Sequence, residues 1–93
     1  MEVIFDLTVL YLLEKEKGMY SVRLDLLEPN VADCFKAMAT QHPVLFEKMK
    51  QINLINDETE INALMISGQQ MLRPDSKVHN KQEIKIVGQI SGG

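Results

Sequence analysis

Cysteine is almost absent from this chain: Cys34 is the single one in 93 residues. A disulfide framework within one chain is thereby excluded, and a cysteine-built zinc site has no ligand set. An excess of positive charge is missing too. Ten Lys and Arg against 13 Asp and Glu leave a net charge of -3, with no basic stripe. Nucleic acid is therefore not an expected partner; a basic protein surface suits this charge better. No apolar run approaches the ~18 residues that a membrane span requires, so no membrane association is expected. The start, Met1-Glu2-Val3-Ile4-Phe5-Asp6, has no basic segment and an early acid, unlike a secretory leader. One thiol and no leader point to a reducing, cytoplasmic setting. Internal repeats, low-complexity tracts and a Walker-type phosphate loop are also absent.

What is present is 45% hydrophobic residues, enough for one small domain with a modest core. Residues 2–9 predict a strand, with Val3, Phe5, Leu7 and Val9 alternating against polar neighbours. Residues 9–16 change to helical spacing and predict a short helical turn ending near Gly18. Residues 19–27 predict a second strand, with Tyr20, Val22, Leu24 and Leu26 on one face.

Asn30 is a good N-cap, and Asp33 suits a helix N-terminus. Val31, Cys34, Phe35 and Met38 then share one stripe, predicting a helix over 30–40. A second helix is expected to open at His42-Pro43, burying Leu45, Phe46 and Met49. Residues 51–60 are polar and turn-prone and predict a loop. A strand over 61–67 comes next, read with Leu64 and Ile66 on the core side and Ala63 and Met65 on the other. Gly68 turns the chain into a short strand at 69–72. Residues 73–82 predict a loop anchored by Val78, and 83–88 a last strand with Ile84 and Ile86 inward. The expected order is β-β-α-(α)-β-β-β.

The chain reads on from that strand into Ser91-Gly92-Gly93. Glycine is about 7% of ordinary sequence, so a Gly-Gly end arises by chance on the order of once in 200 chains. Two terminal glycines leave the α-carboxylate with no side chain beside it and free backbone rotation behind it. Such an end can thread a narrow channel into another enzyme; a frayed terminus would look the same in isolation. A carboxylate acylates nothing until it is activated, typically as a mixed anhydride with AMP. With no phosphate loop here, a partner must supply that step. Cys34 is the competing nucleophile, but its place on an apolar helical stripe predicts a buried, inert thiol. His42 and His79 have no ligand at metal-like spacing, and no metal site is expected. Most methionines fall on core faces.

These residues resemble a family. The chain is similar to the ubiquitin-like sulfur carriers of the MoaD/ThiS type, most of all to the small subunit of molybdopterin synthase. Ile66-Ser67-Gly68-Gln69 is similar to that family's apolar-Asn-Gly strand and turn. Val78 stands at its apolar anchor, and Asn80-Lys81-Gln82-Glu83-Ile84 at its next turn. Ile86-Val87-Gly88-Gln89-Ile90-Ser91-Gly92-Gly93 looks like the last strand and reactive tail. More weakly, residues 4–16 resemble the first strand and short helical segment, and 29–38 the helix across the sheet. Three departures stand out: Lys81 replaces the turn glycine, Ser67 the turn asparagine, and Gly88-Gln89 the proline pair before the tail.

The resemblance implies an α+β, ubiquitin-like β-grasp domain over residues 1–88, a mixed four- to five-stranded sheet on one main helix. Residues 89–93 would be a flexible reactive tail. It implies a protein cosubstrate rather than an enzyme. An E1-like adenylyltransferase using ATP and Mg would adenylate Gly93. A sulfurtransferase would supply sulfur for a thiocarboxylate, and a larger synthase subunit would receive it in molybdopterin synthesis. No cofactor is expected on the chain itself. Gly92 and Gly93 would be the reacting end, and Val87, Ile90, Ser91, Met65 and Met71 the residues that dock on partners. Thiamin or tRNA thiolation, ubiquitin-like modification of lysines, and a non-conjugating binding role remain as alternatives.

Overall fold

The computed structural model describes residues 1–8, 18–57 and 60–89. The short helical turn expected over 9–16, and Ile90 to Gly93, lie outside them. Five strands and two helices occur in the expected order: β1 (Glu2–Asp6), β2 (Met19–Arg23), α1 (Val31–Gln41), α2 (Pro43–Gln51), β3 (Ala63–Ser67), β4 (Gln70–Leu72) and β5 (Gln82–Gln89). They form one mixed sheet in the order β2-β1-β5-β3-β4. β1 and β5 run parallel, and the other pairings are antiparallel. The last strand of the sequence is thus the centre of the sheet.

α1 begins where its sequence says it should. The Asn30 side chain accepts from the Asp33 N–H, and the Asp33 carboxylate accepts from the Asn30 N–H, both at 2.9 Å. Each satisfies a helix-end donor that would otherwise be orphaned. Val31, Cys34, Phe35 and Met38 are all buried against the sheet, and Phe35 meets Phe5 edge to face at 5.2 Å between ring centroids. Pro43 occupies the first turn of α2, whose buried side is Leu45, Phe46 and Met49. Asn53 then takes a left-handed φ of 63° just past the helix end, a conformation asparagine tolerates.

The segment after α2 departs from the polar loop expected there. Leu54 and Ile55 are each 1% exposed. The Leu54 N–H donates to the Met49 carbonyl at 2.9 Å, folding the chain back under α2 so that two adjacent apolar side chains enter the core. β2 is shorter than expected and ends at Arg23. Beyond it Leu24 is buried, but Leu26 and Leu27 are exposed, because the chain turns away toward Asn30 before alternation can continue. The β2 edge is closed by side chains instead. Gln41 accepts from the Arg23 N–H and donates to the Arg23 carbonyl, and the His42 ring meets the Ser21 carbonyl. These contacts occupy edge groups that an unpaired strand would otherwise offer to another chain.

The facing of β3 is the reverse of the one expected. Ala63 and Met65 are 1% exposed and point to the helices. Leu64 and Ile66 are half-buried on the opposite, outer face. Every residue of Ala63-Leu64-Met65-Ile66 is apolar, so alternation alone names no inner face. The register settles it: Met65 lies opposite Ile86 on β5 and Leu72 on β4, and Ile86 is fully buried.

Lys81 has a left-handed φ of 68°. Its N–H donates to the Glu2 carbonyl at 2.6 Å and its ammonium to the Glu2 carboxylate at 2.8 Å. The turn that the resembled family makes with glycine is made here by a lysine tied at both ends. Gln82, the one buried polar residue among those described, donates to the Ser67 hydroxyl and accepts from the His79 N–H. No buried side-chain nitrogen or oxygen among the described residues lacks a partner.

Candidate docking face and carboxyl-terminal segment

The outer face of the sheet is built from the residues that β1, β5, β3 and β4 turn away from the helices. The register places Ile66 between Lys85 of β5 and Met71 of β4. Leu64 lies opposite Gly88, and Val87 stands half-buried on the same face. On β1, Ile4 lies beside Glu83 and Asp6 beside Lys85. The result is an apolar group of Leu64, Ile66, Met71 and Val87, bordered by the charges of Glu83, Lys85 and Asp6. Met71 is 68% exposed. An apolar patch rimmed by charge is the usual form of a protein-docking surface.

The electrostatics of this border are local. Asp6 is held below its ordinary value of 3.8, first by the Thr8 hydroxyl and N–H that donate to it, with the Lys85 charge adding. Glu2 is likewise lowered, chiefly by the Lys81 ammonium.

The expected site residues do not all share this face. Val87 and Met71 lie on it, Val87 half-buried and Met71 exposed. Met65 does not: it is a core residue, 1% exposed, and is not available for the docking role expected of it. Its inward facing is imposed by Ile86 and Leu72, its partners across the sheet. Met65→Ala should cost about 2–5 kcal/mol by leaving a cavity, whereas Met71→Ala should stay within about 0.5 kcal/mol of wild type. Paired denaturant melts of the two variants check this. Ile90, Ser91, Gly92 and Gly93 lie outside the described residues; β5 itself continues through Gln89, the first residue assigned to the tail. Leu64 and Ile66 are the outer-face members that sequence reasoning missed, and only the register could have found them.

Cys34 is fully buried, and that burial, with the neighbouring Asp33 charge, pushes its thiol up to about 12. A thiol so placed is neither a nucleophile nor a sulfur shuttle at neutral pH. The native protein should resist alkylation at pH 8 and react at once on unfolding. Cys34→Ala should lose roughly 1 kcal/mol of stability while keeping any activity of the carboxyl terminus. Raising the folded value above the ordinary 9.0 also ties stability to pH. Above pH 9 the unfolded chain loses this proton and the folded chain keeps it. The contribution is therefore complete below about pH 9 and is lost between 9.0 and about 12.

His42 packs edge to face on Tyr20 and hydrogen-bonds the Ser21 carbonyl at 2.8 Å, a structural role. His79 is exposed. Among the described residues no group of three His, Cys, Asp or Glu could hold a metal ion, and no helix is long and apolar enough to cross a membrane.

No protein-family model and no curated protein matches this sequence. Among solved structures the chain is similar to SAMP1 from Haloferax volcanii, with a TM-score of 0.70, 14% sequence identity and 100% of both chains covered. At that identity the likeness speaks for the fold: the chain adopts the ubiquitin-like β-grasp, a mixed five-stranded sheet with two helices.

Proposed function

We propose that this chain is a ubiquitin-like protein carrier whose Gly93 carboxylate is its reactive group. Residues 1–89, through the end of β5, act as the scaffold and 90–93 as the reactive tail. An E1-like adenylyltransferase binds the outer sheet face, and the tail carries the carboxylate into its active site. A carboxylate oxygen attacks the α-phosphorus of Mg-bound ATP and pyrophosphate leaves. Hydrosulfide supplied by a sulfurtransferase then attacks the acyl carbon and AMP leaves, giving a thiocarboxylate. In a complex with a larger synthase subunit, in the cytoplasm, that sulfur bonds to a pterin precursor of the molybdenum or tungsten cofactor, and water cleaves the acyl–sulfur bond to return the Gly93 carboxylate. The scheme requires a free carboxylate on Gly93. The chain is a cosubstrate in it, not the enzyme.

One observation carries this reading. The central strand of a ubiquitin-like sheet runs beside an apolar, charge-rimmed face, and its sequence continues within four residues to Gly92-Gly93. The face therefore includes part of the strand from which the sequence runs on to the proposed reacting end. Gly92 and Gly93 supply reach without bulk. Ile90 and Val87 anchor the tail base in partner grooves, where burying a side chain of this size contributes roughly 1.5–3 kcal/mol.

The ubiquitin-like fold also favours a second reading, in which a lysine amine captures the same adenylate-derived acyl group as an isopeptide. The experiment is ATP–pyrophosphate exchange by the cognate activating enzyme. Exchange that depends on this chain supports the proposal; none at saturating chain removes it. Lysine-linked adducts in cells would assign the second reading.

A further inference from the structure

β5 carries one residue more than its partner. Met65 lies opposite Ile86, and the adjacent residue of β3, Leu64, lies opposite Gly88, so Val87 is an inserted bulge residue. Gly88 there has a φ of 154°, a backbone state that side chains disfavour. A Cβ added to Gly88 would meet nothing within 4 Å, so the backbone angle and not the space selects glycine.

The bulge exchanges the faces of the residues beyond it. Unbroken alternation from Ile84 and Ile86 would send Gly88 toward the helices and Gln89 outward. Instead Gly88 sits opposite outward Leu64, and Gln89 sits opposite inward Ala63. On that side the Gln89 amide Nε2 donates to the carbonyl of Ile52, the residue that ends α2. Helix-terminal carbonyls lack intrahelical donors, so the glutamine satisfies an open acceptor.

We infer that the Val87-Gly88 bulge and the Gln89 amide are positioning elements for the carboxyl-terminal segment. They fix its base against the end of α2, in a set relation to the outer face. The kinetic consequence rests on the carrier reading; the structural one does not.

The test uses the full chain, labelled with ¹⁵N and ¹³C, as wild type, Gln89→Ala, Gln89→Glu and Gln89→Lys. The readouts are the backbone order of residue 89 and the KM and kcat of the chain in ATP–pyrophosphate exchange. Wild type should show strand-like order at 89 and a Gln89–Ile52 contact. Gln89→Ala and Gln89→Glu should lose that order, since a carboxylate cannot donate, and Gln89→Lys should restore it, since an ammonium can. The first two should raise KM about three- to tenfold, the range of one net hydrogen bond, with kcat unchanged and Gln89→Lys near wild type. Equal order at 89 in all four proteins overturns the inference, as does lost order with unchanged KM. If wild type supports no exchange, the carrier reading fails, and the order measurements still decide the positioning role.

Discussion

Phe35→Ala should destabilise the domain by about 3–5 kcal/mol. Phe35 is 0% exposed in the middle of the α1 stripe, and its ring meets the edge of Phe5 at 5.2 Å. Val31 and Met38 on the same helix stripe, and Val3, Val22, Ile84 and Ile86 of the same core, are also fully buried. Truncation therefore opens a cavity between rigid layers and removes an aromatic contact besides. A domain of this size has a total stability of about 5–15 kcal/mol, so the loss is a large share of the whole. Urea unfolding monitored by far-UV circular dichroism gives the shift in midpoint. A loss below about 1 kcal/mol would mean that α1 does not depend on this ring.

Deleting Gly93 should leave that melt unchanged and abolish activation. A terminal glycine brings no side chain to a core, and on the carrier reading the outer face would still supply most of the contact with the activating enzyme. The new carboxylate, however, ends about 3.3–3.6 Å short of the reacting phosphorus. A misplacement of about 1 Å can cost on the order of 100-fold in rate. Gly93→Val should fail by another route, placing a β-branched side chain in a channel shaped for none. The exchange assay separates the two. The deletion should bind with nearly normal KM and turn over negligibly, whereas Gly93→Val should lose binding of the tail as well.

The element order, both helices and most of the inner face were legible in the sequence. The physical reason is that α1, α2, β1 and β5 each carry an unambiguous period: Val31, Cys34, Phe35 and Met38 at helical spacing, Ile84 and Ile86 at strand spacing. β3 was not legible, because four consecutive apolar residues carry no period at all, and its facing is set by Ile86 and Leu72 on other strands. Leu54 and Ile55 were hidden for the opposite reason, as two apolar residues in polar surroundings whose burial depends on a turn under α2. The left-handed turn at Lys81 has no local signal either, since its stabilising partner, Glu2, is 79 residues away. At the docking face, Met71 was legible as an exposed apolar residue, and the exchange of Met65 for Leu64 and Ile66 comes from the same ambiguity in β3. The bulge at Val87-Gly88 could be seen only once β3 and β5 were in register.

On the carrier reading, the Gly93 carboxylate is the group on which the chemistry happens. Intact mass of the chain, recovered after incubation with the activating enzyme, Mg-ATP and a sulfurtransferase, tests it most directly. The expected result is a gain equal to the exchange of one oxygen for one sulfur. Fragmentation should place that gain on the terminal glycine, and Cys34→Ala should leave it intact. An unchanged mass under conditions that consume ATP, or sulfur found on Cys34, would contradict it.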